Sequence, residues 1–184
     1  MRVERLDLDG PVLFTPQRWG DDRGHFAEVF RQDVFEREVG VRRFVQDNHS
    51  VSRAKGTVRG LHFQRPPMAQ GKLVRVSRGA VLDVIVDARA SSPTYGRHLA
   101  IELSEENGHV LWVPEGFLHG FCTLTDNVDL LYKVTAFYSA PHDGAVRWND
   151  PDLGISWPVD EASARLSAKD AAAPSFRDLG PVFV

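Results

Sequence analysis

A short basic segment of the chain combines residue types that could move a proton next to a carbonyl group. Residues 56–64 contain Arg59 and His62, and Lys72 follows closely. A neutral imidazole can remove a proton from a carbon beside a carbonyl, and a nearby ammonium can stabilise the enolate oxygen that forms. The same residues also fit an ordinary polar strand with an exposed arginine and lysine. Local spacing alone leaves both interpretations open.

Strand alternation determines which of these side chains could act together. Side chains two residues apart share one face of a strand, so His62 would lie on the face of Val58 and Gly60, with Arg59 on the other face. A β-bulge at Gly60 would change this arrangement, since a glycine inside a strand often marks such an irregularity. The relative orientation of Arg59 and His62 therefore depends on Gly60.

Two segments match the cupin signatures, and the chain therefore resembles the cupin superfamily. Residues 108–119 read GHVLWVPEGFLH, which fits the second signature of Gly, five residues and Pro-x-Gly-x-x-His. Gly56 and His62 have the spacing of the first signature, but Gln64 replaces its second His and Lys72 stands at its Glu position. An ammonium repels a divalent ion. The pattern predicts a metal-free cupin, an all-β jelly-roll sandwich or barrel with a few short helices.

The elements that must position these residues are mostly short strands separated by turns. Repeated short strands with this spacing indicate a sandwich or barrel. Residues 98–103 alternate cleanly, with Leu99, Ile101 and Leu103 on one face. The predicted strands span residues 26–30, 72–76, 80–87, 98–103, 110–113, 120–124 and 128–134.

One short helix is predicted over residues 34–39. Asp33 is its expected cap, Glu36 stands at the third helical position, and Gly40 ends it. The last stretch, from about residue 162, is rich in Ala and Pro, and we expect it to pack over the barrel.

Size and charge narrow the class of protein. A chain of 184 residues that is 42% hydrophobic predicts a single domain, 1–184, with a sizeable core. The formal net charge of −3 predicts no general attraction to nucleic acid or to a membrane. Cys122 is the only cysteine, so no disulfide can form within the chain, which is compatible with the cytosol. We see no signal-peptide core and no apolar run approaching the ~20 residues that cross a bilayer.

A narrower resemblance covers nearly the whole chain. Each of its motifs is weak alone, but all of them in one order are highly specific. The motifs are DRGHFAE at 22–28, QDNHS at 46–50, VRGLHFQ at 58–64, QGKLV at 70–74, DVIVDAR at 83–89, SPTYG at 92–96, PEGFLHGF at 114–121, LYK at 131–133, WNDP at 148–151 and LSAKD at 166–170. With them the chain resembles the dTDP-4-dehydrorhamnose 3,5-epimerases, a metal-independent branch of the cupins. The resemblance implies a dTDP-sugar substrate, no cofactor, a cytoplasmic homodimer and a place in dTDP-L-rhamnose biosynthesis.

The resemblance also implies the catalytic group. His62 matches the base, Asp170 the carboxylate that orients it, Lys72 the residue near the sugar ketone, and Tyr132 the acid on the opposite face. Protons at C3 and C5, both α to a ketone at C4, would be removed to give an enolate and returned from the other face. Residues 167–170 also fit a helix capping box, and the two roles of Asp170 are compatible.

Further positions are implied to bind the substrate. Arg23 and Arg59 match residues that hold diphosphate and sugar oxygens, a task that suits planar guanidinium groups. Asp143 departs from the family pattern, which usually has Glu there, and its carboxylate is one methylene shorter. The full implied set is Arg23, Phe26, Glu28, Gln46, Asn48, Arg59, His119, Tyr138, Asp143 and Lys169.

Other functions compete with the double epimerase. Relatives act at C3 only, at C5 only or on other nucleotide sugars, and retention of both the acid and base positions favours double epimerisation. Gln64 and Lys72 argue against a metal-dependent cupin oxygenase or isomerase. A non-catalytic sugar-binding cupin would not need His62, Lys72, Tyr132 and Asp170 together.

Overall fold

The computed structural model describes residues 1–184, and most of its regular structure is β-strand. The elements in chain order are β1 (Arg2–Arg5), β2 (Val12–Thr15), β3 (Arg18–Asp21), β4 (Gly24–Ala27), α1 (Gln32–Val39), β5 (Gln46–Ser52), β6 (Val58–Gln64), β7 (Lys72–Arg78), β8 (Ala80–Asp87), β9 (His98–Ser104), β10 (Val110–Val113), β11 (Phe117–Thr123), β12 (Val128–Val134), β13 (Asp143–Ala145) and α2 (Ala168–Ala171). None of the helices has the length and apolar character needed to span a membrane.

The strands form two antiparallel sheets that pack face to face. One sheet has the order β1-β2-β10-β7-β12-β5, the other has the order β13-β6-β11-β8-β9, and β3 and β4 form a separate hairpin. Apolar side chains from both sheets build the largest core cluster between them. Its members include Val74, Leu111 and Leu130 from the first sheet and Val81, Ile85 and Leu103 from the second. The all-β, cupin-type sandwich predicted from the sequence is confirmed.

The outer face of the five-stranded sheet carries a second core. Leu61, Val84 and Leu118 point away from the first core and pack against residues of the C-terminal segment. Phe176 and Phe183 belong to this same cluster and are buried. The C-terminal segment therefore covers a face of the sheet that would otherwise expose a continuous apolar surface.

A β-bulge in β6 brings Arg59 and His62 to the same side of the sheet. His62 pairs with His119 and Arg59 pairs with Phe121, so β6 has two residues where β11 has one between these pairs. The extra residue lies at Gly60, and the side chains of Arg59 and His62 both reach the space between the sheets. The alternative that depended on a bulge at Gly60 is the one the structure adopts.

Gly60 is the residue of the bulge that tolerates no side chain. Its φ is +133°, and a Cβ there would lie 2.5 Å from the Cα of Gly120. We expect Gly60→Ala to lower the free energy of unfolding by about 2–6 kcal/mol, since the strained φ and the overpacking each cost about 1–3 kcal/mol. Urea denaturation provides the measurement.

Gly24→Ala is a matched control for this prediction. Gly24 has a φ of +131°, but a Cβ there would meet nothing within 4 Å. We expect it to cost about 1–3 kcal/mol, the backbone contribution alone. Equal losses in the two variants would show that the approach of Gly60 to Gly120 contributes nothing.

Two local predictions near the N-terminus are wrong in detail. The strand predicted over residues 26–30 ends at Ala27, because β4 pairs only with the four-residue strand β3. Phe30 instead packs beside Phe35 in a separate aromatic cluster. The helix begins two residues earlier than predicted, and Asp33 lies inside it and pairs with Arg31 rather than capping it.

Candidate active site

A cavity of about 470 Å³ lies between the two sheets and is lined by all of the predicted catalytic residues. Both sheets supply its walls, and the C-terminal segment supplies a third side. The residues that line it are Ser50, Thr57, Val58, Arg59, His62, Lys72, His119, Phe121, Leu130, Tyr132, Arg165, Leu166, Ser167 and Asp170. All four predicted catalytic residues and two of the predicted binding residues are in this set.

His62 and Asp170 form a hydrogen-bonded pair across 108 residues of sequence. The His62 Nε2 and Asp170 Oδ1 atoms are 2.5 Å apart, and the Asp170 side chain is almost completely buried. With Nε2–H donating to the carboxylate, the lone pair of Nδ1 is left free to accept a proton. The pair therefore has the arrangement of an oriented general base.

Ser167 holds the Asp170 carboxylate in place. Its hydroxyl donates to Asp170 Oδ2 at 2.7 Å and accepts from the Asp170 backbone N–H at 3.1 Å, so Ser167 is the N-cap of α2 as the predicted capping box requires. The Asp170 carboxylate binds the Ser167 hydroxyl instead of completing the box at the Ser167 backbone N–H. Burial opposes ionisation of Asp170, but the hydrogen bond and charge of His62 and the Ser167 hydroxyl outweigh it and lower the pKa of this carboxyl. Asp170 thus remains an anion that can stabilise a protonated imidazole.

His119 is bound to a buried carboxylate, Asp83, whose charge also acts on Lys72. His119 Nε2 donates to Asp83 Oδ2 at 2.9 Å, and the Asp83 side chain is fully buried. Burial lowers the pKa of Lys72 to about 8, although the charges of Asp83 and Asp143 partly oppose this. Burial also lowers the pKa of His119, with Asp83 again opposing the shift. The cavity therefore holds a neutral imidazole beside an ammonium that loses its proton unusually easily.

Asp83 is a site residue that motif matching did not single out. A signal was present, because it is a carboxylate within the otherwise apolar run of residues 80–86 in β8. Alternation places it on the same face as Ile85, toward the first core and the cavity. A buried carboxylate at such a position needs partners, which here are His119 and the nearby charge of Lys72.

Tyr132 reaches the cavity from the sheet opposite His62. It lies on β12 of the six-stranded sheet, whereas His62 lies on β6 of the five-stranded sheet. Burial raises the pKa of the Tyr132 phenol, with Arg59 opposing, so the hydroxyl keeps its proton at neutral pH. An imidazole and a phenol thus approach one cavity from opposite walls.

Positive charge predominates along the cavity wall. Arg59, Lys72 and Arg165 line it, and Asp170 is the one carboxylate among the lining residues. Arg59 is oriented by hydrogen bonds from Nε to Ser52 Oγ at 3.2 Å and from Nη2 to the backbone carbonyl of Val51. Such a surface attracts an anionic substrate, including a diphosphate.

A second group of predicted binding residues lies outside the lining of the cavity and is linked by hydrogen bonds. Tyr138 Oη donates to Asp143 Oδ2 at 3.3 Å, and Lys169 contacts the same carboxylate. Gln46 accepts from the backbone N–H of Tyr138 at 3.0 Å and donates to Asn48 Oδ1 at 2.8 Å. Since Lys169 directly precedes Asp170, this group adjoins the His62 dyad.

Three predicted binding residues lie elsewhere on the chain. Arg23 is bound to Asp21, Phe26 stacks on Trp19 with centroids 6.1 Å apart, and Glu28 lies 3.8 Å from Arg31. None of Arg23, Phe26 and Glu28 lines the cavity. Within one chain the structure does not bring them to the catalytic group.

The donor set of the cavity does not suit a metal. No group of three or more His, Cys, Asp or Glu side chains is arranged to hold an ion. Gln64, at the position of a cupin ligand, uses its amide on the protein backbone. The Nε2 atoms of His62 and His119 are each bound to a carboxylate.

Comparison with known proteins gives the same family over almost the whole chain. The model of the dTDP-4-dehydrorhamnose 3,5-epimerase family matches residues 5–178. A relative of that name from Sinorhizobium fredii is 51% identical over 179 residues, which cover 97% of this chain and 91% of the relative.

Solved structures of related proteins indicate the same family. A Legionella pneumophila 3,5-epimerase in complex with dTDP-4-keto-L-rhamnose superposes with a TM-score of 0.92 at 41% identity, covering 97% of this chain and 94% of the other. A 3'-monoepimerase from Streptomyces bikiniensis in complex with dTDP-quinovose gives a TM-score of 0.88 at 34% identity, covering 96% and 90%. The resemblance found in the motifs is thereby confirmed, and this chain belongs to the dTDP-4-dehydrorhamnose 3,5-epimerase family.

Proposed function

We propose that this enzyme epimerises C3 and C5 of dTDP-4-dehydro-6-deoxy-D-glucose and gives dTDP-4-dehydro-L-rhamnose, a step of dTDP-L-rhamnose biosynthesis. The observation that carries the proposal is a base and an acid on opposite walls of one cavity, His62 with Asp170 and Tyr132. Inversion at a carbon requires a proton to leave from one face and to return on the other, and this arrangement provides for both.

In the proposed mechanism His62 Nδ1 removes the proton α to the C4 ketone. The electrons of the broken C–H bond form the enolate, whose oxygen the Lys72 ammonium stabilises. Asp170 stabilises the imidazolium that results. Tyr132 then donates its phenolic proton to the carbon from the other wall, and the electrons of the enolate form the new C–H bond. His62 then releases its proton to solvent and Tyr132 takes one up, which restores the base and the acid. The same cycle at the second carbon completes the reaction without a redox cofactor.

The remaining predicted residues are proposed to bind the nucleotide. Arg59 is suited to the diphosphate because its guanidinium is held at the cavity wall. Tyr138 offers an exposed aromatic ring to the thymine base, next to Asn48 and Gln46. His119 is proposed to contact the sugar beside Lys72. The network of Asp143 and Lys169 links this region to the dyad.

The test is incubation with dTDP-4-keto-6-deoxy-D-glucose in deuterated water, followed by NMR. Double epimerisation predicts deuterium at C3 and C5 in a product with inverted configuration at both. Deuterium and inversion at C3 alone would identify a monoepimerase, the activity named for the Streptomyces bikiniensis relative. Absence of any exchange would overturn the proposal.

Activity is expected to survive exhaustive treatment with EDTA. Gln64 and Lys72 leave His62 and His119 as the cavity's imidazole donors, and two imidazoles fall short of the three protein ligands of a typical catalytic site. The rate is measured before and after chelation, and again after adding zinc, iron or manganese. Loss of activity that one of these metals restores would support the metal-dependent alternative.

The pH profile of kcat/KM is expected to fall as the pH rises through about 8. This ratio reports groups of the free enzyme, and burial lowers the pKa of Lys72 to about 8. The active form carries the charged ammonium, so activity is present below this pKa and lost above it. Lys72→Arg should remove this fall, because arginine stays protonated beyond pH 12. An unchanged profile in Lys72→Arg would assign the fall to another group.

We also propose that the enzyme is a homodimer. Arg23, Phe26 and Glu28 lie away from the cavity of their own chain, and the hairpin of β3 and β4 exposes Trp19 and Phe26 to 56% and 69%. A second copy of the chain that covered Trp19 and Phe26 would bury this apolar surface. Arg23, Phe26 and Glu28 of one copy could then reach the cavity of the other copy. Light scattering at micromolar concentration should give the mass of a dimer, and a monomer would contradict the proposal.

The cytoplasmic location stays a prediction.

A further inference from the structure

Gln64 occupies the position of a cupin metal ligand but is used entirely on the backbone of two neighbouring segments. Its side chain is buried, at 4% exposure. Nε2 donates to the carbonyls of Met68 at 2.6 Å and Phe137 at 3.1 Å, and Oε1 accepts from the N–H of Ser139 at 2.7 Å. Both N–H groups of the amide therefore have partners.

These bonds bracket Tyr138, because they hold the residues directly before and after it. The backbone N–H of Tyr138 itself donates to Gln46 Oε1 at 3.0 Å. Gln46 belongs to the six-stranded sheet and Gln64 to the five-stranded sheet. Three consecutive backbone groups are thus held by two glutamines from opposite sheets, and the segment 137–139 is fixed between them.

The side chain of Tyr138 remains available although its backbone is held. The residue is 59% exposed, and its hydroxyl donates to Asp143 Oδ2 at 3.3 Å. The backbone of Tyr138 and its hydroxyl are therefore both held, which orients the ring, while much of the ring surface is exposed. A preoriented exposed ring binds a flat partner at a lower cost in conformational entropy than a mobile one.

We propose that Gln64 is a positioning residue that presents the Tyr138 ring to the nucleotide base. The inference rests on the proposed function, since it takes Tyr138 to be the base-binding ring. Gln64 does not line the catalytic cavity. We expect the effect of Gln64 on nucleotide affinity to pass mainly through the segment 137–139, where two of its three side-chain hydrogen bonds lie, and the chemical step at His62 and Tyr132 to be left intact.

The first test combines Gln64→Leu with Tyr138→Ala and measures dTDP affinity by calorimetry. Gln64→Leu removes all three hydrogen bonds at similar volume. We expect roughly tenfold weaker dTDP binding, the upper end of the cost of immobilising one freed side chain on binding. KM should rise with it, while kcat stays within about twofold. In the Tyr138→Ala background the same substitution should change affinity by less than about twofold, because the two residues act as one unit.

The second test needs no ligand. Hydrogen exchange of the Ser139 amide should accelerate in Gln64→Leu, while amides of the central strand β7 stay protected. If Gln64→Leu does not fold, Gln64→Glu retains an acceptor for Ser139 and loses the two donors, and weaker dTDP binding is again expected.

The outcomes separate this inference from the proposed function. Additive losses in the double variant, a kcat that falls with KM unchanged, or an unchanged Ser139 amide would overturn the role of Gln64. A wild-type protein that does not bind dTDP would overturn the proposed function instead, and the Ser139 amide would still decide whether Gln64 holds the segment.

Discussion

Replacing His62 with alanine is expected to lower kcat by at least about 100-fold, the low end for a positioned general base. The substitution removes the Nδ1 lone pair and leaves Asp170 without the partner at 2.5 Å that its buried carboxylate now has. Affinity for dTDP should hardly change, because the proposed nucleotide contacts lie on other residues. Steady-state kinetics and calorimetry with dTDP measure the two effects separately.

His49→Ala is the matched control for His62→Ala. His49 is also a strand histidine beside a carboxylate, 3.3 Å from Asp129, but its side chain is 56% exposed and does not line the cavity. Its replacement should leave kcat unchanged. If His62→Ala kept more than half of the activity, or if its loss followed weaker dTDP binding, His62 would not be the base.

Tyr132→Phe is expected to separate proton removal from inversion. Phenylalanine keeps the ring that packs against the first core but lacks the hydroxyl that donates. His62 could still remove a proton and return one from solvent to the same face. Epimerisation should fall at least about 100-fold, while deuterium from the solvent enters C3 or C5 of substrate whose configuration is unchanged.

Tyr95→Phe controls for the loss of a tyrosine hydroxyl as such. Tyr95 packs against Phe176, with ring centroids 5.1 Å apart, outside the cavity. Its variant should epimerise like wild type, with deuterium in the inverted product. Wild-type rates in Tyr132→Phe would remove Tyr132 from the mechanism, and loss of both exchange and epimerisation would indicate a binding or structural role.

Much of the fold could be predicted from the sequence because strand patterns and turns are local. The strands β8, β9, β10 and β12 were each found within one residue of their bounds from alternation and flanking turn residues. Gly40 ends α1 as predicted, with a φ of +93°. The error at residues 28–30 arose because packing of Phe30 against Phe35 and Phe44, not local propensity, decides the conformation there. The error at Asp33 is local, because its carboxylate pairs with Arg31 and the helix already begins at Gln32.

The sequence by itself determined which residues could carry the chemistry. Motif spacing singled out His62 and Lys72, and the family resemblance added Tyr132 and Asp170 and explained why these types occur together. The type of each side chain decides whether it can donate, accept or stabilise a proton or a charge, and the sequence alone gives that type. It assigned no role to Asp83, the first residue of the motif at 83–89, whose importance appears only when its buried contact with His119 is known.

The tertiary structure alone decided how these residues meet. Asp170 reaches His62 because the C-terminal segment packs onto the sandwich, with Thr57 and Arg165 in a bridge between them. Arg59 shares a face with His62 because Gly60 approaches Gly120 on β11. These contacts join residues 60 or more positions apart, and their free energy comes from packing that no local pattern encodes. For the same reason, the position of the exposed hairpin with Arg23 and Phe26, away from the cavity, could not be foreseen from its motif.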